Sequence, residues 1–171
     1  MKTFKNFVTE IKSTIPDTAW DWTEKSVNGF KAHWYAEDVE LIFEKSGGIT
    51  PGDKFFEVWS ADFTRDGEWK NTGGGKSSQI FAWVIERSIE FMKSGPAIVR
   101  YTANKGESSR VKFYDTMTKI ITRKMKGYTW IKLDDSAHKG KFGEPYFIVR
   151  DDILKYPDLQ DELIRYNNNF A

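Results

Sequence analysis

The chain has 171 residues, no cysteine, and 26 Lys+Arg against 25 Asp+Glu, a formal net charge of +1. This length suits one domain with one sizeable core. The missing thiols exclude disulfides, thiolate nucleophiles and cysteine-ligated zinc or iron–sulfur centres, and near-neutrality removes any global field toward nucleic acid or an anionic membrane.

No apolar run of about 18 residues occurs, and Met1-Lys2-Thr3-Phe4-Lys5-Asn6 lacks the apolar stretch of a signal peptide. A soluble cytoplasmic protein with no membrane partner is expected. Phe4, Phe7, Val8 and Ile11 recur at helical spacing before Pro16, which predicts an amphipathic helix over 3–14. From Ala19 to about Phe63 the pattern changes to alternation of aromatic and β-branched residues. Turn signals at Asn28-Gly29, Glu37-Asp38 and Gly47-Gly48-Ile49-Thr50-Pro51-Gly52 divide it into antiparallel strands near 18–24, 30–36, 39–45 and 54–63. Asp66-Gly67 makes a further turn, and 68–72 reads as a short strand. The tryptophans, Trp20, Trp22, Trp34, Trp59, Trp69, Trp83 and Trp130, fall mostly in these strands, where they suit core packing better than a stacking platform.

Next comes Thr72-Gly73-Gly74-Gly75-Lys76-Ser77-Ser78, a glycine turn opening a helix. Three glycines let backbone approach a ligand, and the free N–H groups of a helix start favour an anion, so the segment outlines a phosphate site. Ile80, Phe81, Val84, Ile85, Ile89 and Met92 form one stripe over 77–93, with Glu86, Arg87, Glu90 and Lys93 off it; Ser94-Gly95-Pro96 stops the helix. A strand at 97–103 then follows a helix that follows a strand, which predicts a right-handed crossover and a parallel pair with the strand entering the glycine turn. Residues 107–126 form a second helix with Val111, Tyr114, Met117, Ile121 and Met125 inward, ended by Gly127. Strands at 128–133 and 145–149 close the pattern, with a short acidic helix after Pro157. The class is α+β, a mixed, mostly antiparallel sheet flanked by helices: one domain, core about 20–150, with an acidic tail over 151–171.

This order, the glycine turn, and the segment Ser109-Arg110-Val111-Lys112-Phe113-Tyr114 resemble the GCN5-related N-acetyltransferase (GNAT) superfamily, and within it the small GNAT-like proteins of bacteriophages. The resemblance spans about 20–150. It implies acetyl-CoA as acyl donor and a small-molecule or protein amine as acceptor. It also implies a pyrophosphate site at Gly73, Gly74, Gly75, Lys76, Ser77 and Ser78, with Tyr114 protonating the departing thiolate. The family's turn begins with Gln or Arg where this chain has Lys70, and the Asn common seven residues before the tyrosine is Glu107 here. A general base could come from Glu57 or Asp62 on the strand before the turn.

Other chemistries find less support. Gly75-Lys76-Ser77 lacks the first glycine of a Walker A loop, since position 70 is lysine. His33 and His138 form no metal-ligand spacing, so no metal is expected, and no Gly-x-Ser-x-Gly elbow exists. Lys105 to Lys126 holds seven basic residues against two acidic ones. Lys112, Lys119, Arg123 and Lys126 share one side of the second helix, which is either a solvated face or a contact for nucleic acid or an acidic protein. Two functions therefore stand: an acyl-CoA-dependent N-acyltransferase, or a catalytically inactive GNAT-like phage protein that binds a host or viral macromolecule.

Overall fold

The structure, a computed structural model, describes residues 22–65, 77–103, 108–133 and 144–169. The expected helix over 3–14, the short strand over 68–72 and the glycines Gly73, Gly74 and Gly75 with Lys76 lie outside these residues. Seven strands form one sheet: β1 (Trp22–Lys25), β2 (Gly29–Trp34), β3 (Val39–Ile49), β4 (Phe56–Arg65), β5 (Ile98–Ala103), β6 (Tyr128–Lys132) and β7 (Glu144–Arg150). Their spatial order is β1-β2-β3-β4-β5-β7-β6. Every junction is antiparallel except β4 with β5, which is parallel. The helices are α1 (Ser77–Met92), α2 (Ser108–Lys124) and α3 (Leu159–Asn169).

Alternation sends the two sides of the central strands β4, β5 and β7 to two separate cores. On one face, Leu41, Phe43, Trp59, Ala61, Val99, Tyr101 and Ile148 pack beneath the inner sides of α1 and α2. On the other, Val58, Ile98, Phe147 and Val149 meet Leu159, Leu163 and Tyr166 of α3. The acidic carboxy-terminal segment is thus an amphipathic helix whose apolar side closes a core. Each fully buried leucine there contributes roughly 2 to 3 kcal/mol of transfer free energy. Among the described residues no helix is long and apolar enough to cross a membrane.

Three details depart from the sequence pattern. Gly47-Gly48 reads as a turn, yet β3 runs through it to Ile49, with a register shift between Lys45 and Gly48. The reason is a bulge: it swings Ile49 into the second core, and a Cβ on Gly48 would lie 2.3 Å from the Phe55 ring and 2.7 Å from the Phe56 carbonyl. Arg87 lies off the apolar stripe of α1 but is only 6% exposed, because Trp22 covers it at 5.7 Å and Glu90 pairs with it at 2.8 Å. Trp83 and Phe91, also off the stripe, are fully buried, since β1 and β2 wrap a second side of that helix. Of the tryptophans described, Trp34, Trp59 and Trp83 are buried, and Trp22 and Trp130 are partly buried against the same core.

Candidate active site

The parallel junction is short. Val58, Trp59, Ser60 and Ala61 pair with Ile98, Val99, Arg100 and Tyr101, and there the pairing stops. Beyond it, β4 stays with β3, through Asp62 with Ile42 to Arg65 with Val39. Over the same stretch β5 stays with β7, through Thr102 with Pro145 and Ala103 with Glu144. The sheet therefore divides into two half-sheets at the carboxyl ends of the one parallel pair among the described residues. Ring contacts of Phe113 with Phe63 and with Phe81 place the early turns of both α1 and α2 at this end. Open α/β junctions commonly place ligands outside strand carboxyl ends, where helix N-termini and unpaired backbone groups converge.

Tyr114, one turn and a half into α2, sits over this division. Its ring is fully buried and touches Phe63 of β4, Tyr101 of β5, Tyr146 of β7 and Phe113 beside it, with centroids 6.0, 5.7, 6.1 and 5.6 Å away. It thus contacts strands on both sides of the split. Phe113 extends the cluster to Phe63 at 5.0 Å and to Phe81 of α1 at 4.7 Å. Burial pushes the Tyr101 phenol well above its ordinary pKa, with nearby Ser88 opposing weakly. Burial likewise raises Tyr146, whose hydroxyl donates to the Val111 carbonyl at 3.3 Å.

Asp62 lies on the opposite side of β4 from Phe63 and is exposed. It shares that side with Arg100, whose Nη2 donates to Asn167 Oδ1 at 2.8 Å and whose guanidinium lies 5.9 Å from the Tyr166 ring. Burial lowers the Arg100 pKa, and the charges of Tyr166 and Asp62 oppose that lowering. Tyr114 and Asp62 thus flank the split from its two faces. Glu57 does not join them. It stands near the start of β4, six residues and about 20 Å of strand from Phe63, and pairs with Lys45 Nζ at 2.7 Å. There it lines a separate cavity of about 420 Å³ with Phe55, Trp59, Pro96 and Arg150.

Ser77 is the first residue of α1 and Ser78 is exposed. The remaining phosphate-site candidates, Gly73, Gly74, Gly75 and Lys76, fall outside the described residues. Lys112, Lys119, Arg123 and Lys126 are all exposed on or just after α2. Phe63, Tyr101, Tyr146, Arg100 and Asn167 were not singled out by the sequence. Tyr101 and Arg100 had a usable signal, being adjacent residues of the strand expected to pair in parallel, whereas Asn167 had none. No family profile, curated protein sequence or solved structure matches the chain.

Proposed function

We propose that this chain is an acyl-CoA-dependent N-acyltransferase built on the GNAT plan. The observation that carries the reading is the divided sheet: the parallel pair β4–β5, joined over four residues and then separating beneath the starts of two helices. The strand order β1-β2-β3-β4-β5-β7-β6 and the three glycines preceding α1 in the sequence support the same reading. The facing backbones of 62–63 and 102–103 are not paired with each other. They match an extended arm that carries amide groups, and the N–H groups opening α1 at Ser77 and Ser78 match a pyrophosphate.

An acyl-CoA supplies an activated thioester carbon. The chain's part is to hold that carbon between β4 and β5, to accept the proton of the incoming amine at the Asp62 carboxylate, and to return a proton to the departing sulfur from the Tyr114 hydroxyl. The balance is simple: a C–N bond forms, the C–S bond breaks, and one proton leaves nitrogen as one reaches sulfur. Because Tyr114 is fully buried, ligand entry must part the Phe63 ring from Tyr114. That burial also favours a second reading, a GNAT-like phage protein in which Tyr114 is only core and no acyl transfer occurs.

Thiol release decides between them. Acetyl-CoA offered with a panel of primary amines should yield free thiol faster than without protein, and Tyr114→Phe should slow it by about 10- to 10,000-fold. Binding of acetyl-CoA without accelerated thiol release for any amine supports the second reading.

A further inference from the structure

Charge is segregated on this nearly neutral chain. The 17 residues of α2 contain one carboxylate, Asp115, against Arg110, Lys112, Lys119, Arg123 and Lys124. Across the sheet, α3 and the turn before it carry Asp158, Asp161 and Glu162 against Arg165. At 3.6 residues per turn, Lys112, Lys119 and Arg123 fall within about 40° of one another around the helix axis and span about 17 Å along it. Lys126 continues the row in the turn that follows.

The described ion pairs occupy part of this face only. Lys119 pairs with Asp115 at 2.7 Å, and Lys124 pairs with Glu86 at 3.5 Å. Lys112, Arg123 and Lys126 have no carboxylate partner among the described residues, so three exposed cations remain with their charge unspent. A nucleic-acid duplex carries about one phosphate charge per 1.7 Å of its axis, so the row lies alongside roughly ten of them.

Trp130 decides between duplex and single strand. It lies beside the row on edge strand β6, and the Lys119 ammonium sits 5.3 Å from its centroid. The ring face is thus covered by a cation and does not offer the open stacking surface on which single-strand binders rely. A row of cations along a helix, beside a ring that is already covered, suits the regular backbone of a duplex.

We infer that the outer face of α2 is a docking surface for the phosphate backbone of double-stranded nucleic acid, read without sequence preference. The contact is independent of acyl transfer and uses none of the side chains at the sheet division. Positioning comes from Lys112, Arg123 and Lys126, with Lys119 held upright by Asp115 and Trp130.

The test uses the full chain and a fluorescein-labelled 20-base-pair duplex of mixed sequence, followed by anisotropy from about 25 to 200 mM salt. Wild type should bind with a log–log salt slope of about −2.7 to −3.6, as expected for three or four phosphate contacts. The triple variant K112A/R123A/K126A should lose at least tenfold in affinity and flatten the slope by about 2.7. Its circular dichroism and melting temperature should match wild type, since all three residues are exposed. The inference is overturned if wild type shows no binding at 25 mM salt, or if the triple variant binds equally well. Tighter binding of a single strand of the same length, or equal competition by polyglutamate, also overturns it.

Discussion

Phe63 and Tyr114 meet edge to face at the point where the sheet divides, with ring centroids 6.0 Å apart and planes at 73°. Phe63 stands on the part of β4 that has left β5, and Tyr114 comes from the helix that β5 feeds, so this contact ties one half-sheet to the other. Truncating Tyr114 to alanine should therefore open a cavity among four rings and cost about 3 to 5 kcal/mol. Tyr114→Phe keeps the packing and should cost no more than about 1.5 kcal/mol. Urea unfolding of the two variants checks the pair. Equal losses would mean that the hydroxyl, not the ring, holds this region together.

The carboxy-terminal helix should behave as part of the core. Leu163 is fully buried against the sheet, and the Tyr166 hydroxyl donates to the Ser46 carbonyl at 3.1 Å and lies 2.6 Å from Ser46 Oγ. Leu163→Ala should lower stability by about 2 to 5 kcal/mol, and Tyr166→Phe by about 1 kcal/mol. The denaturation midpoint should fall with an unchanged slope. A loss below about 1 kcal/mol for Leu163→Ala would instead describe an appended helix that frays on its own.

The phenols give a pH dependence with a definite sign. Burial raises Tyr101, Tyr128 and Tyr146 above the ordinary tyrosine value. An acid held protonated by the fold binds its proton more tightly in the native state than in the unfolded chain. Its contribution to stability is complete below about pH 10 and is lost as pH rises beyond that. Ultraviolet titration should show Tyr101 ionising only as the protein unfolds, and stability should fall steeply above pH 10. A reversible titration of every tyrosine near pH 10, in a chain that stays folded, would contradict the buried placement of Tyr101.

Periodicity made most of the fold legible. Alternation before Phe63 and a 3.6-residue repeat after Ser77 are backbone-level signals, and the strands up to Phe63 and the helix α1 follow from them. The parallel pair was expected at 68–72, and the described partner of β5 is β4 itself, over Val58 to Ala61. Gly47-Gly48 shows a limit: a bulge and a turn use the same residues, and only the burial of Ile49 selects the bulge. Arg87 shows another, because a charged residue reads as solvated until Trp22, 65 positions earlier, is seen to cover it. Of the site, Tyr114 and Asp62 were visible as residue types, but their placement on two faces of one split depends on where pairing ends. Nothing in a linear pattern encodes that end point, nor the contact of Arg100 with Asn167.

The central claim is that the divided sheet holds an acyl-CoA, and thermal melting with acetyl-CoA tests it most directly. A ligand that binds only the folded chain stabilises it by about 2.7 kcal/mol at 100 times its dissociation constant, which for a chain of this length raises the melting temperature by about 5 to 10 °C. Wild type should show that shift. Tyr114→Phe should keep it, and Gly75→Asp should lose it, because a new carboxylate would stand two residues before Ser77, where α1 begins and an anion would bind. No shift for folded wild type at about 1 mM acetyl-CoA, or an undiminished shift in Gly75→Asp, would contradict the account.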